Sequence, residues 1–547
     1  MARRVDAVVI GSGFGGSILA CRLAQAGRSV CVLERGRRWA ATDFPRSPSQ
    51  VVREAFWDVE KGRFGLLDYR VFKQMHVIQA SGVGGGSLHY FNVHIQPPGS
   101  IFEDERWPRA ITREVLEPYY RLARMMLDAR PLSPPDGRTL PARTVTFLDG
   151  CRRLGREPEL VPIAVYTGAP RMSPHGGVQQ LPCDFSGNCA LGCATNAKNA
   201  MDVTYLPIAE RNGAQVCSLH SAEAIVPSPD GGYLVRFAER DPDALERVEP
   251  GEIEAAIVVV AAGTLGTNEL LLRCRDRHQS LPDLSPALGH GFSGNGDLVL
   301  TGTWTDRDVD ASWGPSITAG VDVSTPEHEA YIEDLGYPDQ IVWFVEGMIA
   351  AAAITINPVQ LARIVELFAY DRLAFKGAAN RISHEREALF GGGRTRGLLP
   401  YLGMCEDAAD GQFVLDADGK LDLRWSPRAS AKRIFELEHA MRALSDALDG
   451  HYLSSPLWDW PGRELLTAHP LGGCAMAEDP ARGVVNELGQ VHGYPGLFIA
   501  DASVIPTALA RNPSATISAL AERTAFHLLH GRELRSDKDV AKLAQLP

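Results

Sequence analysis

The pattern of hydrophobic and polar positions near the start of the chain predicts a strand, a turn, a helix and a second strand. Val5 to Ile10 is an almost unbroken apolar run, which is typical of a strand buried on both faces of a parallel sheet. A cluster of glycines follows it. A helix is predicted from about Gly15 to Ala26, and a second apolar strand from Val30 to Leu33, ended by Glu34. This order predicts an α/β fold with a Rossmann-like N-terminal unit.

Later segments extend this picture. Residues 252–272 read as a buried strand, a glycine turn and a helix start, which returns the chain to the same parallel sheet. Residues 300–465 instead alternate polar and apolar positions, as in "LVLTGTW" and "LDLRW", with a helix predicted over Val359 to Lys376. This alternation predicts a second, α+β domain built on a mainly antiparallel sheet. Near the end, a strand over Leu497 to Ala500 is followed by a turn at Asp501 and an amphipathic helix over Ser514 to Leu529.

Composition narrows the class of protein. The chain has 547 residues, 45% of them hydrophobic and 22% charged, which is ordinary for a globular protein of at least two domains. A net charge of −12 argues against nucleic-acid binding. Glu346 and Gly347 interrupt the most apolar stretch, so no transmembrane span is expected, although transient contact with a membrane surface stays open. Ten dilute cysteines and no recognisable leader predict a reduced protein in the cytoplasm.

The first glycine cluster has the spacing of a dinucleotide-binding turn. Gly11, Gly13 and Gly16 form G-x-G-x-x-G between strand and helix, where the helix N-terminus can bind a pyrophosphate. Glu34, at the end of the second strand, can accept hydrogen bonds from the ribose hydroxyls of an adenosine. An acidic residue there disfavours NADP but does not distinguish NAD from FAD.

A second glycine-rich stretch, "VIQASGVGGGSLHYFNVHIQPP", also predicts a ligand-binding loop. Glycines let the backbone approach a planar ligand closely, and this loop leads directly into alternating aromatic and aliphatic residues. The alternative is an ordinary flexible loop. The residues singled out here are Gly82, Gly84, Gly85, Gly86, Ser87 and His89.

Three cysteines lie close together in "CDFSGNCALGCATNAKNA". Cys183, Cys189 and Cys193 could suggest a metal site, but no fourth cysteine or histidine follows at a zinc-like spacing. We therefore predict a compact turn of small residues, with no bound metal.

His469 is the one ionisable residue in the small, apolar run "TAHPLGGCAMA". A lone histidine in such a run is usually a core residue whose hydrogen bonds are satisfied. The alternative is a catalytic role, because a buried imidazole tends to lose its charge and can then accept a proton.

Taken together, these motifs resemble the glucose–methanol–choline (GMC) flavoprotein oxidoreductases, and most of all their bacterial cholesterol-oxidase-like branch. The resemblance is carried by the N-terminal fingerprint, "GVGGGSLHY", the cysteine-rich turn, "HPLGGC" and "ADASVIPTALARNPSATISALAER", which occur in the family's order. It implies FAD as the cofactor. It also implies that His469 and Asn512 lie over the flavin, and that Asp501 and the helix beginning at Ser514 hold its ribityl and pyrimidine end.

In this family an alcohol loses its hydroxyl proton to a base while a hydride passes to flavin N5. We therefore expect FAD-dependent oxidation of a bulky, apolar alcohol, sterol-like or long-chain, with His469 as base and Asn512 orienting the hydroxyl. Ile341 to Lys376 would form a substrate lid, or else ordinary core helices. Oxygen or another acceptor would reoxidise the flavin. The alternatives are a cyanohydrin-cleaving lyase with a redox-silent flavin and a flavin-binding protein without turnover.

One departure from the cholesterol-oxidase pattern concerns a glutamate that moves the steroid double bond. Thr395 falls near that position, so isomerisation, and cholesterol itself, are in doubt. Three acids could substitute: Glu346, Glu385 and Glu387.

The resemblance also bears on His89 and on the domain boundaries. Some family members, such as choline and pyranose oxidases, attach FAD covalently through a histidine at the position of His89, whereas a hydrogen-bonded histidine is the alternative here. Residues 1–100, 180–300 and 465–547 are expected to form the FAD-binding domain. Residues 101–179 and 301–464 would form the substrate-binding domain and its lid.

Overall fold

The fold is described from a computed structural model that covers residues 3–134, 137–342, 395–459 and 463–545. Two predicted features, the helix over Val359 to Lys376 and nearly all of the lid segment, lie outside these residues. So do the three acids suggested as substitutes. Within the described ranges, no helix has the length and hydrophobicity that a transmembrane span requires.

The α-helices are distributed along the whole described chain. In chain order they are α1 Phe14–Gln25, α2 Pro48–Glu54, α3 Arg113–Met126, α4 Ala142–Arg153, α5 Tyr205–Arg211, α6 Gly263–Leu272, α7 Ala431–Ala447, α8 Pro456–Asp459, α9 Ser514–His530 and α10 Asp537–Gln545.

The strands contribute to two large sheets and several small ones. In chain order they are β1 Arg3–Ile10, β2 Val30–Glu34, β3 Trp57–Asp58, β4 Arg63–Phe64, β5 Leu67–Val71, β6 Met75–Ala80, β7 Glu159–Leu160, β8 Arg171–Met172, β9 Gln179–Gln180, β10 Gln215–Ser218, β11 His220–Pro227, β12 Tyr233–Asp241, β13 Ala244–Val260, β14 His290–Phe292, β15 Leu298–Trp304, β16 Ala319–Asp322, β17 Ala330–Asp334, β18 Leu398–Cys405, β19 Gly411–Leu415, β20 Leu421–Arg424, β21 His451–Leu453, β22 Leu465–Thr467 and β23 Leu497–Ile499.

The first large sheet has seven strands and a parallel centre. Its order is β10-β2-β1-β13-β12-β11, with β23 pairing alongside the C-terminal end of β13. The pairs β10–β2, β2–β1, β1–β13 and β13–β23 are parallel, whereas β11, β12 and the first half of β13 form an antiparallel extension. The apolar runs of β1, β2 and the end of β13 are buried on both faces, as their sequences predict.

The second large sheet has six strands in the order β21-β15-β18-β17-β16-β7. Every neighbouring pair in it is antiparallel. Helices α4 and α7 pack against it. The predicted fold class, a Rossmann-like α/β unit with a second, antiparallel sheet, is therefore confirmed.

Helix α9 joins distant parts of the chain by packing against α1 and α3. Arg22 of α1 donates two hydrogen bonds to Glu522 of α9, at 2.9 and 2.7 Å, and the Tyr205 hydroxyl donates a third at 2.8 Å. The prediction that this helix is amphipathic was wrong, because residues 514–526 are buried on nearly every face. Neighbouring helices cover the side that the sequence pattern would have left to solvent.

Candidate active site

The predicted dinucleotide-binding turn joins β1 to α1. Gly11 has φ +98°, and a Cβ on Gly16 would lie 2.1 Å from the Gly11 carbonyl oxygen, so the turn can close only with glycine at both positions. Gly13 is the N-cap of α1 and offers no side chain to the first turn of the helix. No described residue accepts a hydrogen bond from the backbone N–H groups of this first turn, so these groups can bind an anion.

The second glycine loop packs directly on the first. A Cβ on Gly85 would lie 2.5 Å from the Cα of Gly13, whereas a Cβ on Gly86 would meet no atom of the described residues within 4 Å. Gly82 and Gly84 both have positive φ, at +158° and +114°. The fold therefore brings the two predicted ligand loops together, with an open face at Gly86.

Glu34 ends β2 beside this pair of loops and is 5% exposed. One carboxylate oxygen accepts hydrogen bonds from the Ser12 backbone N–H at 3.1 Å and the Ser12 hydroxyl at 2.7 Å. The other accepts from the Gly36 N–H at 2.9 Å. These bonds hold the carboxylate at the end of the strand, next to the glycine turn.

Ser87 is fully buried and has partners within the protein. Its hydroxyl donates to the Gly84 carbonyl oxygen at 2.7 Å and accepts from the Met201 N–H at 2.9 Å. It therefore maintains the shape of the glycine loop.

His89 follows this loop in an environment that keeps its ring neutral. Burial, together with the charge of Lys198 and the electrostatic effect of His469, lowers the pKa of His89 to about 3. The Lys198 ammonium donates hydrogen bonds to the carbonyl oxygens of Leu88 at 2.6 Å and Cys189 at 2.8 Å. A buried cation thus fixes the backbone next to His89.

His469 lies just after β22 with 14% of its side chain exposed. Its Nδ1 atom is 2.9 Å from a carboxylate oxygen of Asp297, a residue that is 1% exposed. No partner for Nε2 occurs among the described residues. Asp297 therefore holds the imidazole at Nδ1, and Nε2 is available to accept a proton.

Asp297 belongs to the loop of residues 293–297, which also contacts the segment before Asn512. In this loop the Asn295 side chain accepts hydrogen bonds from the Leu509 and Ala510 N–H groups at 2.8 and 3.0 Å and donates one to the Arg511 carbonyl oxygen at 2.9 Å. One short loop therefore positions the two residues that the sequence analysis singles out as catalytic.

Asn512 is buried, and its side-chain N–H donates a hydrogen bond to Glu333 at 3.2 Å. Glu333 lies on β17, and burial raises the pKa of its carboxyl to about 8. Oε1 of Glu333 and Oδ1 of Asn512 are both buried without a partner among the described residues. Such unsatisfied atoms point to a polar group at this place that is not part of the described chain.

Asp501 and Ser514 hold the C-terminal part of the site together. The Asp501 carboxylate accepts from the Gly263 N–H at 3.0 Å and from the Thr267 hydroxyl at 2.5 Å, which joins the end of β23 to the start of α6. Burial raises its pKa. The Ser514 hydroxyl, at the start of α9, donates to the Val93 carbonyl oxygen at 2.7 Å.

The three clustered cysteines make ordinary weak contacts. The Cys189 sulfur accepts from the Asn92 side chain at 3.0 Å, Cys183 from the Phe185 N–H at 3.4 Å, and Cys193 from the Lys198 N–H at 3.4 Å. Within the described ranges, no group of three or more histidine, cysteine and acidic side chains has the geometry to hold a metal ion.

These features fit FAD. The free N–H groups at α1 suit a pyrophosphate, Glu34 suits a ribose, and the face left open at Gly86 suits a flat ring near its backbone. A charge on His469 would lower the pKa of His89, which indicates that the second glycine loop lies near the catalytic candidates.

Sequence reasoning missed Asp297 and Glu333. Asp297 ends the motif "SGNGD", where a glycine turn before an acid was the available signal. Glu333 had none, because "YIEDL" reads as an ordinary strand. Its burial beside Asn512 comes from sheet pairing between distant segments.

Comparison with known proteins agrees with the fold and the motifs. Two family models, both described as GMC oxidoreductase, match residues 5–290 and 415–521. A cholesterol oxidase of Acinetobacter baumannii is 28% identical, with 96% of this chain and 94% of the relative covered. A cholesterol oxidase of Mycobacterium tuberculosis is also 28% identical, over 95% of this chain and 90% of the relative.

Two less similar proteins also match most of this chain. A long-chain-alcohol oxidase of Arabidopsis thaliana is 25% identical, over 95% of this chain and 66% of the relative. The crystal structure of pyridoxine 4-oxidase from Mesorbium loti has the same fold, with a TM-score of 0.62 at 16% identity, covering 96% of this chain and 99% of that one.

Proposed function

Because the chain belongs to the GMC oxidoreductase family, whose members are FAD-dependent enzymes that act on CH–OH donors, we propose that it oxidises the hydroxyl of a bulky, apolar alcohol to a carbonyl. The observation that carries this proposal is His469, which has Nδ1 bonded to Asp297 and Nε2 without a partner among the described residues. An imidazole in this arrangement can act as a base toward the substrate.

In this proposal the cofactor is bound by the two glycine loops and their neighbours. Residues 1–100, 180–300 and 465–547 form the FAD-binding domain, and residues 101–179 and 301–464 form the substrate-binding domain. The strand composition of the two large sheets supports this division, since the first takes strands from residues 3–34, 215–260 and 497–499. The second takes its strands from residues 159–160, 298–334, 398–405 and 451–453.

When bound, FAD supplies a hydride acceptor for the carbinol carbon. His469 accepts the hydroxyl proton at Nε2, which makes the carbon-bound hydrogen easier to remove as hydride. Asn512 orients the hydroxyl. Its amide is held by Glu333, so its position is fixed before substrate binds.

The substrate class rests on the relatives and on the sequence. The relatives include cholesterol oxidases and a long-chain-alcohol oxidase, and residues 341–376 are rich in apolar side chains. A sterol-like or long-chain alcohol therefore fits better than a small polar one. The names of these relatives also favour oxygen as the electron acceptor.

The experiment is an anaerobic panel of alcohols, monitored by flavin absorbance in the wild type and in His469→Gln. A sterol or long-chain alcohol should bleach the wild-type flavin, and a short polar alcohol should not. His469→Gln should retain FAD but reduce it roughly 10²-fold more slowly, the usual range for loss of a positioned base. Admitting air or a dye then identifies the acceptor.

Two results would contradict the proposal. A flavin that no alcohol bleaches, while a cyanohydrin is cleaved, would make the protein a lyase. An unchanged reduction rate in His469→Gln would remove this residue from the mechanism.

A further inference from the structure

The Asp297 carboxylate has separate partners for its two oxygens. Oδ1 lies 2.9 Å from His469 Nδ1, whereas Oδ2 accepts hydrogen bonds from the Thr467 hydroxyl at 2.9 Å and the Ala468 backbone N–H at 3.1 Å. The residue is 1% exposed, so water does not compete for these bonds. Both oxygens therefore make hydrogen bonds to residues 467–469.

This arrangement determines where His469 carries its proton. An ionised carboxylate can only accept hydrogen bonds, so the ring nitrogen that faces it must carry the hydrogen. The lone pair is then on Nε2. We propose that Asp297 is the positioning residue that fixes His469 in this tautomer and aims Nε2 at the alcohol; this inference rests on the proposed role of His469 as the base.

The loop that carries Asp297 is itself held firmly. The buried Asp407 carboxylate accepts hydrogen bonds from the Gly294 and Gly296 N–H groups at 2.8 and 3.3 Å. Asn295 occupies the left-handed region, with φ 57°, and binds the backbone of residues 509–511. The loop therefore holds Asp297 in register with Asn512, so that the base and the hydroxyl-orienting amide are placed by one element.

The same hydrogen bonds make Asp297→Asn a specific test. The Ala468 N–H can only donate, so the carbonyl oxygen of the new amide must face it. The NH₂ group then faces His469 Nδ1 and forces the proton onto Nε2, which is the wrong tautomer for a base. Asp297→Ala removes the partner without imposing a tautomer.

We therefore expect Asp297→Asn to be less active than Asp297→Ala. A merely structural role for Asp297 would give the reverse order. Asp297→Asn should lower the limiting rate of anaerobic flavin reduction by roughly 10²-fold or more, as the wrong tautomer does in a Ser-His-Asp triad, with little change in the alcohol Kd. Asp297→Ala should be less impaired, although Asn keeps the size of the side chain. Asp410→Asn, at an exposed position, is the matched control and should behave as the wild type.

Nitrogen-15 NMR of histidine-labelled protein reads the tautomer directly. The His469 signal, assigned by its loss in His469→Gln, should report Nδ1–H in the wild type and Nε2–H in Asp297→Asn. A wild-type signal that reports Nε2–H would overturn the inference even if neither variant folds. So would an Asn variant that is faster than the Ala variant.

The two proposals fail in different ways. If His469→Gln reduces its flavin at the wild-type rate, the proposed function of His469 is wrong. If His469→Gln is slow while Asp297→Asn keeps both the wild-type rate and the Nδ1–H signal, His469 remains the base and the positioning role of Asp297 is wrong.

Discussion

Glu333 accepts a hydrogen bond from the side-chain amide of Asn512, with 3.2 Å between Nδ2 and Oε2. The pair joins β17 of the antiparallel sheet to the segment just before α9. Burial raises the pKa of Glu333 to about 8, which favours its protonated form at neutral pH in the folded chain. A carboxyl with a raised pKa therefore lies beside the amide that we propose to orient the substrate.

The raised pKa of Glu333 predicts a pH-dependent stability. Between the ordinary pKa of a glutamate and about 8, the folded state binds a proton that the unfolded state does not, so the free energy of unfolding falls as pH rises through this range. Glu333→Gln removes this effect. Relative to the wild type, the variant should gain up to about 4 kcal/mol between about pH 5 and about pH 9.

Thermal unfolding of both proteins at the two pH values measures this difference. Glu246→Gln, at an exposed position, is the control and should show no pH-dependent gain. A Glu333→Gln variant whose stability relative to the wild type is the same at both pH values would show that Glu333 is not protonated in the folded chain.

Asn512→Ala should slow flavin reduction while FAD remains bound. The amide is proposed to contact the alcohol, and no described contact joins it to the glycine loops that suit the cofactor. Stopped-flow reduction and the flavin-to-protein absorbance ratio measure the two effects separately. If the variant loses FAD and the FAD that remains is reduced at the normal rate, the role of Asn512 is structural.

Most of the fold could be predicted from the sequence because its signals are local. The strand, glycine turn and helix at the N-terminus lie within two residues of their predicted bounds, since apolar runs and Gly11 determine them directly. The buried strand ending at Val260 and the alternating strand Leu298–Trp304 were found for the same reason.

The site was only partly predictable, because its support comes from distant segments. His469 and Asn512 stand in recognisable motifs. Asp297 and Glu333 are separated from them by 172 and 179 residues, respectively, and meet them only through the fold. The burial of α9 on nearly every face was missed for the same reason, since it depends on which helices pack beside it.

Gly86→Val should fold normally and lose affinity for FAD. Among the residues that the structure describes, no atom lies within 4 Å of a Cβ at this position, so the added side chain enters the open space that we assign to the cofactor. Gly99→Val is the control, because in the described part of the chain its Cβ would approach only the Cβ of Arg113, at 3.9 Å, on an exposed segment. Titration of the apoproteins with FAD measures affinity, and circular dichroism checks folding. Equal FAD affinity in both variants would place the cofactor elsewhere.

The purified protein should contain no stoichiometric zinc or iron. Cys183, Cys189 and Cys193 each accept a hydrogen bond from a nearby N–H group, and the sequence around them has no fourth soft ligand at a suitable spacing. Elemental analysis of protein prepared without chelators measures this. One metal per chain that is lost in Cys189→Ser would contradict the prediction.

Acid denaturation distinguishes the two interpretations of His89, covalent attachment of FAD and hydrogen bonding near the ring. Burial lowers the pKa of His89 to about 3, so its ring is neutral at neutral pH and has the lone pair that covalent attachment requires. A covalently attached flavin stays yellow and fluorescent in the acid pellet, and His89→Ala should then release it and shift the visible spectrum. A hydrogen-bonded flavin appears entirely in the supernatant, and His89→Ala should leave the acid result unchanged. A pellet that keeps its flavin in His89→Ala would contradict both interpretations, because the attachment would then involve another residue.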